Sequence, residues 1–296
     1  MEKSLCTLNS ISQQRGHLKT PNEELVIHYR INFKYVCLCT AFIPLGALLV
    51  CLLSAYIFQF DDVHETHCKV FNIVPSISAV TGISPQRYIW RISAALHIGP
   101  RVIISAVYNA YQLSMINPLA DLEVKSRAQL WLNTAYLLNL IEAGALCGVS
   151  YISNRDNYPI HEKLFITFMV SSLSHMVACI RGTKLAADSR KDLESIKAGL
   201  KYKQNLLVLS LISTAGLLIF FIQHRFFCLR MGTLLPQNSR LISNDVVSAF
   251  SLFALCEYVI AAANMAFHVS VISDFPTEEL MVGKFISTAG NTHKVE

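Results

Sequence analysis

The sequence has few charged residues and lacks the motifs that define the common soluble enzyme classes. Only 15% of its 296 residues are charged, against about a quarter in an average soluble domain. It contains no phosphate-binding glycine loop, no HExxH motif, no GxSxG motif and no tandem repeat. Its cysteines and histidines match no metal-binding spacing, so we predict no metal site and no cofactor. Nothing in the charge pattern indicates nucleic-acid binding.

Long apolar runs take the place of the missing charge. A helix needs roughly 20 apolar residues to cross the hydrocarbon core of a membrane, and helices are expected there because the backbone must satisfy its own hydrogen bonds. We therefore predict an all-α membrane protein, a six-helix bundle over residues 35–275 with a polar N-terminal tail (residues 1–34) and a C-terminal tail (residues 276–296). The six predicted spans are Tyr35–Phe58, Ile92–Leu113, Ala128–Ser150, Leu164–Ile180, Leu206–Ile222 and Val246–Ile272.

The lysines and arginines predict the orientation of the bundle. They concentrate in the N-terminal tail and in residues 181–203, and two more, Lys125 and Arg127, follow the second span. The positive-inside rule places these segments and both termini in the cytosol. The apolar run begins too late for a cleaved signal peptide, so we expect the first span to act as an uncleaved anchor. Binding of acidic lipid is the alternative role of the basic loop.

The loops on the opposite side contain only two of the nine cysteines, Cys68 and Cys228. An oxidising compartment permits a disulfide between them, which would join the first luminal loop to the last. Two unpaired thiols are the alternative. The chain has no Asn-x-Ser/Thr sequence, so we expect no N-glycosylation of these loops.

Four of the spans carry ionisable residues well inside the apolar run. Such residues are costly when they face lipid, so we expect them to face the bundle interior. Helical spacing agrees, since residues three or four apart share a face. The resulting polar seam consists of His97 and Arg101 in the second span, Asn139 and Glu142 in the third, His175 in the fourth, and Glu257, Asn264 and His268 in the sixth.

The helical rise predicts how deep these side chains lie. Counted from the luminal ends of the spans, Arg101 lies about 14 Å deep, Glu142 about 12 Å and Glu257 about 17 Å. These three are expected to form one ionic layer, with His175 and His268 nearer the cytosol.

Two interpretations of the seam remain open. An Arg–Glu pair can act as a latch that holds helices together without any chemistry. Alternatively the seam is a site in which His97, tuned by Glu142 or Glu257, acts as a base and Arg101 binds a phosphate.

The luminal rim offers a second group of candidate residues. Arg87 and Arg91 precede the second span, and His161 and Glu162 precede the fourth. We interpret them as a binding rim for a lipid headgroup. The alternatives are an ordinary aromatic and basic membrane anchor for the arginines and a helix cap for the His-Glu pair.

Several short motifs together resemble one family. They are PSISAVTG and PQRYIWR before the second span, LHIGPR within it, NLIE in the third, IHE before the fourth, SSLSHM within it, and LCEYVIAAANMAFH followed by DF at the sixth. The joint pattern is similar to that of the post-GPI-attachment-to-proteins factor 2 proteins of the Frag/DRAM/Sfk membrane family, over most of residues 36–275.

The resemblance implies six helices and a Golgi membrane location, with the endoplasmic reticulum membrane as an additional location. It further implies fatty-acid remodelling of GPI anchors, in which a lyso-GPI lipid receives a saturated chain so that GPI-anchored proteins are displayed stably at the surface. Either the chain catalyses this reacylation or it supports it. The implied partners are GPI-anchored proteins or lyso-GPI lipid, membrane lipid, and an acyl donor that the resemblance does not identify. The alternatives are a non-enzymatic lipid-organising or sensing protein and a proton-coupled carrier.

Overall fold

The structure is a computed structural model that describes residues 23–64, 72–188, 194–231, 239–274 and 279–287. Within those ranges the side chains of residues 23–25, 188, 194–197, 227–231, 239–248 and 285–287 are not described. The chain divides into two units, one built from its two ends and one from Lys34–Pro276. The predicted disulfide lies outside the described part, since Cys68 is not described at all and Cys228 only in its backbone.

The unit built from the chain ends contains a two-stranded antiparallel sheet. Strand β1 (Glu23–Asn32) pairs with strand β2 (Glu279–Ser287), with a bulge between Ile27 and Tyr29. Branched and aromatic residues favour extended backbone in β1, and Arg30 forms a 2.6 Å ion pair with Glu279 across the sheet. The all-α prediction is therefore incomplete. Strands whose partners lie at opposite ends of the chain leave no local pattern that would predict their pairing.

The other unit is helical. Its elements are α1 (Phe33–Phe58), α2 (Phe60–His64), α3 (Ile77–Thr81), α4 (Gln86–Ile116), α5 (Leu122–Tyr151), α6 (Tyr158–Asp188), α7 (Glu194–Met231), α8 (Ser239–Val269) and α9 (Val271–Asp274).

Five of the long helices are apolar enough to cross a membrane. The qualifying segments are Phe33–Phe58, Leu122–Tyr151, Tyr158–Ala187, Ala198–Phe226 and Ala249–Asp274. Five of the six predicted spans are confirmed in this sense. The second predicted span lies in α4, which is 31 residues long but does not meet the same criterion of apolar composition. Arg87, Arg91 and Arg101 all lie on α4, and they lower its hydropathy.

Helices α5 and α6 pack closely as an antiparallel pair because two glycines face leucines. A Cβ atom on Gly182 would lie 2.6 Å from Cδ2 of Leu132, and one on Gly148 would lie 2.8 Å from Cδ2 of Leu164. Small residues at such positions allow membrane helices to approach each other. This pair positions Asn139, Glu142 and His175 within the same core.

The segment 72–85, between α2 and α4, folds against α8. Ser76 caps α3, because its Oγ accepts a hydrogen bond from the Ala79 amide at 3.1 Å. Ser251 of α8 donates to Asn72 Oδ1 at 2.5 Å, and the Glu257 carboxylate accepts from the Ile77 amide at 2.8 Å. The prolines and glycine of this segment predict turns and no long helix, and the structure confirms this.

Candidate functional site

The centre of the helical unit is a buried carboxylate that accepts several hydrogen bonds. Oε1 of Glu142 accepts from Arg101 Nη2 at 2.6 Å and from Asn264 Nδ2 at 2.7 Å, and it lies 3.1 Å from His268 Nε2. The Glu142 side chain has no solvent-exposed surface, and 5% of the Arg101 side chain is exposed. Helices α4, α5 and α8 are thereby joined through one charged centre, named here the Arg–Glu cluster.

The Arg–Glu cluster uses only part of its hydrogen-bonding capacity. Every hydrogen bond that Arg101 makes to the described residues goes through Nη2, to Glu142, His268 and Asn139. Its Nε and the Oε2 atom of Glu142 are buried and hydrogen-bond to no described residue. A guanidinium group with an N–H to spare can bind an anionic oxygen.

The predicted ionic layer is correct for one pair and wrong for the rest. Arg101 pairs with Glu142, as their depths indicated, but Glu257 binds the backbone of Ile77 and takes no part. His268 was predicted to lie deeper, yet it contacts both Arg101 and Glu142. The depth count for Arg101 began at Ile92, whereas α4 begins at Gln86. The ends of the apolar runs therefore do not all lie at the same depth in the helical unit, and depths counted from them are not comparable.

His97 is oriented like a general base. Its Nδ1 lies 2.7 Å from the carbonyl oxygen of Thr40 in α1. A carbonyl oxygen only accepts, so Nδ1 carries the hydrogen and Nε2 holds the lone pair of the neutral ring. That Nε2 atom is buried and hydrogen-bonds to no described residue. A ring fixed through one nitrogen presents the other to a substrate in a defined direction.

His175 lies beside the Arg–Glu cluster. Its Nδ1 lies 2.9 Å from the Ala135 carbonyl oxygen, and its ring stacks on that of His268 with centroids 5.3 Å apart. Ligand atoms of Glu142, His175 and His268 lie within 4.8 Å of one another, a grouping that could hold a metal ion. However, Arg101 Nη2 lies 2.6 Å from both Glu142 Oε1 and His268 Nε2. The guanidinium already places a positive charge against two of the three ligands, so we assign the cationic role to Arg101.

A large apolar cavity lies on one side of His97 and Arg101. The empty space in this outer cavity, its open mouth included, is about 1030 Å³. Its wall includes Ile77, Ser78 and Thr81 of the segment 72–85. Helices α1, α4, α5, α6 and α8 form the rest of the wall, mostly with apolar side chains. Its ionisable and amide side chains are His97, Arg101, His161, Glu257 and Asn264.

A smaller and more polar cavity lies on the other side. The empty space in this inner cavity, its open mouth included, is about 540 Å³, and the cavity shares His97, Arg101 and Met265 with the outer cavity. Its other polar side chains are Thr40, Ser105, Tyr108, Asn139, His175, Lys203 and His268. His97 and Arg101 thus stand where the two cavities meet.

The four predicted rim residues do not form one binding rim. Arg91 donates to the Tyr151 carbonyl oxygen at 2.7 Å and to Asp156 Oδ2 at 2.6 Å, so it fastens α4 to the α5–α6 loop. Hydrogen bonds from Ser153, together with the charge of Arg91, hold the pKa of Asp156 below its usual value. Arg87 donates to the Tyr88 hydroxyl at 2.9 Å. Neither arginine lines the outer cavity.

Only one member of the His-Glu pair belongs to the site. The Nδ1 atom of His161 lies 2.7 Å from the Ile152 carbonyl oxygen, and its ring lines the outer cavity. Glu162 is not among the lining residues, because adjacent residues on a helix point about 100° apart.

Lys203 is a site residue that the sequence analysis assigned to a basic loop. Its side chain is 1% exposed, forms an ion pair with Asp274, and donates to the Tyr108 hydroxyl at 2.7 Å. The Tyr108 hydroxyl also donates to Asp274 at 2.5 Å. One sequence signal could have revealed this position. Lys203 begins a three-four stripe of buried residues on α7 that continues through Leu206, Ser210, Ser213 and Leu217.

The comparisons with known proteins agree with the membrane fold. Residues 32–278 match the model of the Frag1/DRAM/Sfk1/Cwh43P N-terminal domain family. The chain is 45% identical over 274 residues to a Drosophila melanogaster protein named post-GPI attachment to proteins factor 2-like. The alignment covers 92% of this chain and 79% of the relative. It is 28% identical over 255 residues to acyltransferase PGAP2 of Xenopus tropicalis, covering 86% and 92% of the two chains.

A Caenorhabditis elegans protein named post-GPI attachment to proteins factor 2 is 30% identical over 253 residues, 85% of this chain and 89% of the relative. No solved structure matches the chain. The predicted resemblance is therefore confirmed, and the chain belongs to the Frag1/DRAM/Sfk1/Cwh43P N-terminal domain family, together with the post-GPI attachment to proteins factor 2 proteins.

Proposed function

We propose that this chain acts in fatty-acid remodelling of GPI anchors and itself transfers a saturated acyl chain to a lyso-GPI lipid. One structural observation carries the proposal: His97 lines both an apolar and a polar cavity next to Arg101, with Nδ1 held by Thr40 and Nε2 bonded to no described residue. The names of the relatives, which include an acyltransferase and several GPI attachment factors, support the choice of substrate.

The transfer requires a base, an anion-binding group and an apolar site. His97 Nε2 takes the proton from the free hydroxyl of the lyso-lipid as the hydroxyl oxygen attacks the acyl carbonyl of the donor. The bond between the carbonyl carbon and the leaving group then breaks, and the leaving group takes the proton from His97. Arg101 binds the phosphate of the lyso-lipid through its remaining N–H groups, and the outer cavity encloses the fatty chain that the lyso-lipid already carries.

The two carboxylates have different positioning roles in this scheme. Glu142 neutralises and orients Arg101 through a 2.6 Å ion pair. Glu257 holds the segment 72–85 against the outer cavity through the Ile77 amide. Neither carboxylate tunes His97 through a direct hydrogen bond, because the described partner of that ring is the Thr40 carbonyl oxygen.

The topology that we propose has six crossings with both termini in the cytosol. The pairing of β1 with β2 supports this topology, because paired strands lie on the same side of a membrane and an even number of crossings returns the chain to that side. Five helices are apolar enough to cross, and α4 supplies the sixth crossing. Basic residues near the chain ends favour the cytosolic side, and a Golgi membrane location follows from the proposed role.

The test uses cells that lack their own remodelling factor. Mass spectrometry of the GPI-anchor lipids measures the saturated chains restored by the parent chain. The His97→Ala variant is expected to lose about 100-fold or more of this activity at normal protein abundance, because general base catalysis contributes about 10²–10⁴-fold. The matched control is His28→Ala, which replaces an exposed histidine on β1 and is expected to behave like the parent.

Undiminished remodelling by His97→Ala would remove His97 from the mechanism. If the parent chain reaches the Golgi and the anchor lipids do not change, acyl transfer fails as the function. A non-enzymatic lipid-organising role would then take its place.

A further inference from the structure

We infer that the inner cavity is the binding site for the acyl donor, and that Lys203 recognises a phosphate group on this donor. The inference deepens the proposed function and rests on it. It assigns the two cavities to the two substrates, the lyso-lipid to the outer cavity and the donor to the inner one.

The charges around the inner cavity favour an anion. Its wall contains two cationic side chains, Arg101 and Lys203, and three histidines, while no described carboxylate lines it. The carboxylate partners of the two cations, Glu142 and Asp274, lie behind the wall. Buried cations that line a cavity without a described carboxylate are suited to bind phosphate oxygens.

Lys203 has hydrogen-bonding capacity to spare. Its ammonium group carries three N–H donors, and its described partners are two, the Asp274 carboxylate and the Tyr108 hydroxyl. The Asp274 carboxylate and the Tyr108 hydroxyl thus hold the ammonium group in place at the cavity wall. The third donor is available to a ligand oxygen in the inner cavity.

The two cavities approach His97 from opposite ends of the helical unit. The outer cavity lies against the segment 72–85. The inner cavity lies against the first turns of α7 at Lys203 and against Val269 and Val271, where α8 ends and α9 begins. Two substrates that enter from opposite ends would therefore meet at His97, the residue that moves the proton.

Two donors share the required chemistry, an acyl group joined to a phosphate-bearing carrier. In an acyl thioester of coenzyme A, the C–S bond breaks and the thiolate leaves with the proton from His97. In a diacyl glycerophospholipid, an ester C–O bond breaks and the lysophospholipid alcohol leaves instead. Both exchanges balance without an oxidant, a reductant or a further reactant.

Photolabelling of the purified full-length chain tests the site and distinguishes the two sources. The probes are an S-alkyl coenzyme A thioether and a diether phosphatidylcholine, each with a photoreactive group at the start of its alkyl chain and neither able to transfer an acyl group. We expect one of them to label the peptides of α1 and α4 around Ala41 and Ile104, which line only the inner cavity. Labelling by neither probe, or labelling only at Leu146 and Ala261 of the outer cavity, overturns the inference.

Cavity-filling variants provide a matched pair. Ala41 lines only the inner cavity and Ala261 only the outer one. Ala41→Phe is expected to weaken binding of the labelling probe about tenfold or more and to leave binding of lysophosphatidylinositol within about twofold, because overpacking acts locally. Ala261→Phe is expected to do the reverse. Equal effects of the two variants on both ligands would contradict separate sites.

Lys203→Met tests the phosphate contact, and Lys201→Met is its control because Lys201 is exposed on the same helix. Lys203→Met is expected to weaken binding of the labelling probe about tenfold and to leave unchanged the binding of its phosphate-free counterpart, an S-alkyl pantetheine for the coenzyme A probe or a diether glycerol for the phosphatidylcholine probe. Equal loss for both compounds would remove the phosphate contact. If Lys203→Met does not fold, the Ala41→Phe comparison still decides. These binding measurements do not require acyl transfer to occur. If the probe binds in the inner cavity but the chain does not reacylate lyso-GPI, the proposed function fails and this inference stands.

Discussion

At the scale of single residues, the Arg–Glu cluster either only holds helices together, as a latch, or also binds a substrate, as a site. The pair is buried, and Glu142 accepts hydrogen bonds from Arg101 and Asn264 and lies 3.1 Å from His268 Nε2. A latch would need only the pairing. A binding site would also need the groups that the pairing leaves over, and both Arg101 Nε and Glu142 Oε2 are left over.

A double variant separates these two roles. Glu142→Leu alone is expected to reduce stability by about 3–5 kcal/mol, because it leaves the Arg101 charge buried and unpaired. Combining Arg101→Met with Glu142→Leu removes both charges and is expected to restore most of the abundance without restoring GPI remodelling. Thermal unfolding of the purified protein and the anchor-lipid assay measure the two effects. A double variant that remodels like the parent would establish a latch.

The residue scale also shows which contacts a sequence can predict. The Arg101–Glu142 pair was predictable, because an ionisable residue in lipid needs a partner and the inventory of opposite charges is short. The role of Glu257 was not predictable, because its partner is the backbone amide of Ile77 and not a charged side chain. Lys203 was placed in a loop because its neighbours Lys197 and Lys201 are also basic, although its helical stripe is buried.

At the scale of elements, the packing of α5 on α6 positions Glu142 and His175 together. Gly182 allows this approach, and Gly144 is a matched glycine on α5 where an added Cβ would meet no atom within 4 Å. Gly182→Ala is expected to cost about 1–3 kcal/mol, because its Cβ would overlap the buried side chain of Leu132. Gly144→Ala is expected to be neutral.

Thermal unfolding of the two variants in the same detergent measures the difference. The Leu132→Ala background gives an independent check, since there Gly182→Ala should lose most of its effect. Equal unfolding temperatures for the two glycine variants would show that α5 and α6 tolerate a wider separation.

The helical elements were the most predictable part of the fold. Runs of apolar residues have few alternatives in a chain of this composition, and five of the predicted spans coincide with helices apolar enough to cross. Their ends were less predictable. Helix α6 begins at Tyr158, whereas hydropathy placed the span from Leu164, because a helix continues beyond the apolar part that hydropathy detects.

At the scale of the whole molecule, the pairing of the chain ends constrains the topology. β1 and β2 lie before and after all of the long helices, and their pairing was not predictable because the partners are separated by most of the sequence. Each helix that crosses the membrane moves the chain to the opposite side. In the proposed topology both ends return to the same side, because α4 crosses together with the five apolar helices.

Accessibility of single cysteines tests this parity. In a background without accessible native cysteines, His28→Cys on β1 and Lys284→Cys on β2 are expected to react with an impermeant maleimide once the plasma membrane alone is permeabilised. Ser126→Cys, in the first turns of α5, should react with them, whereas Arg155→Cys, in the α5–α6 loop, should react only after internal membranes are opened. All four positions are exposed in the structure, so burial does not limit labelling. Different accessibility of the two strands would imply an odd number of crossings, and equal accessibility of Ser126→Cys and Arg155→Cys would mean that α5 does not cross.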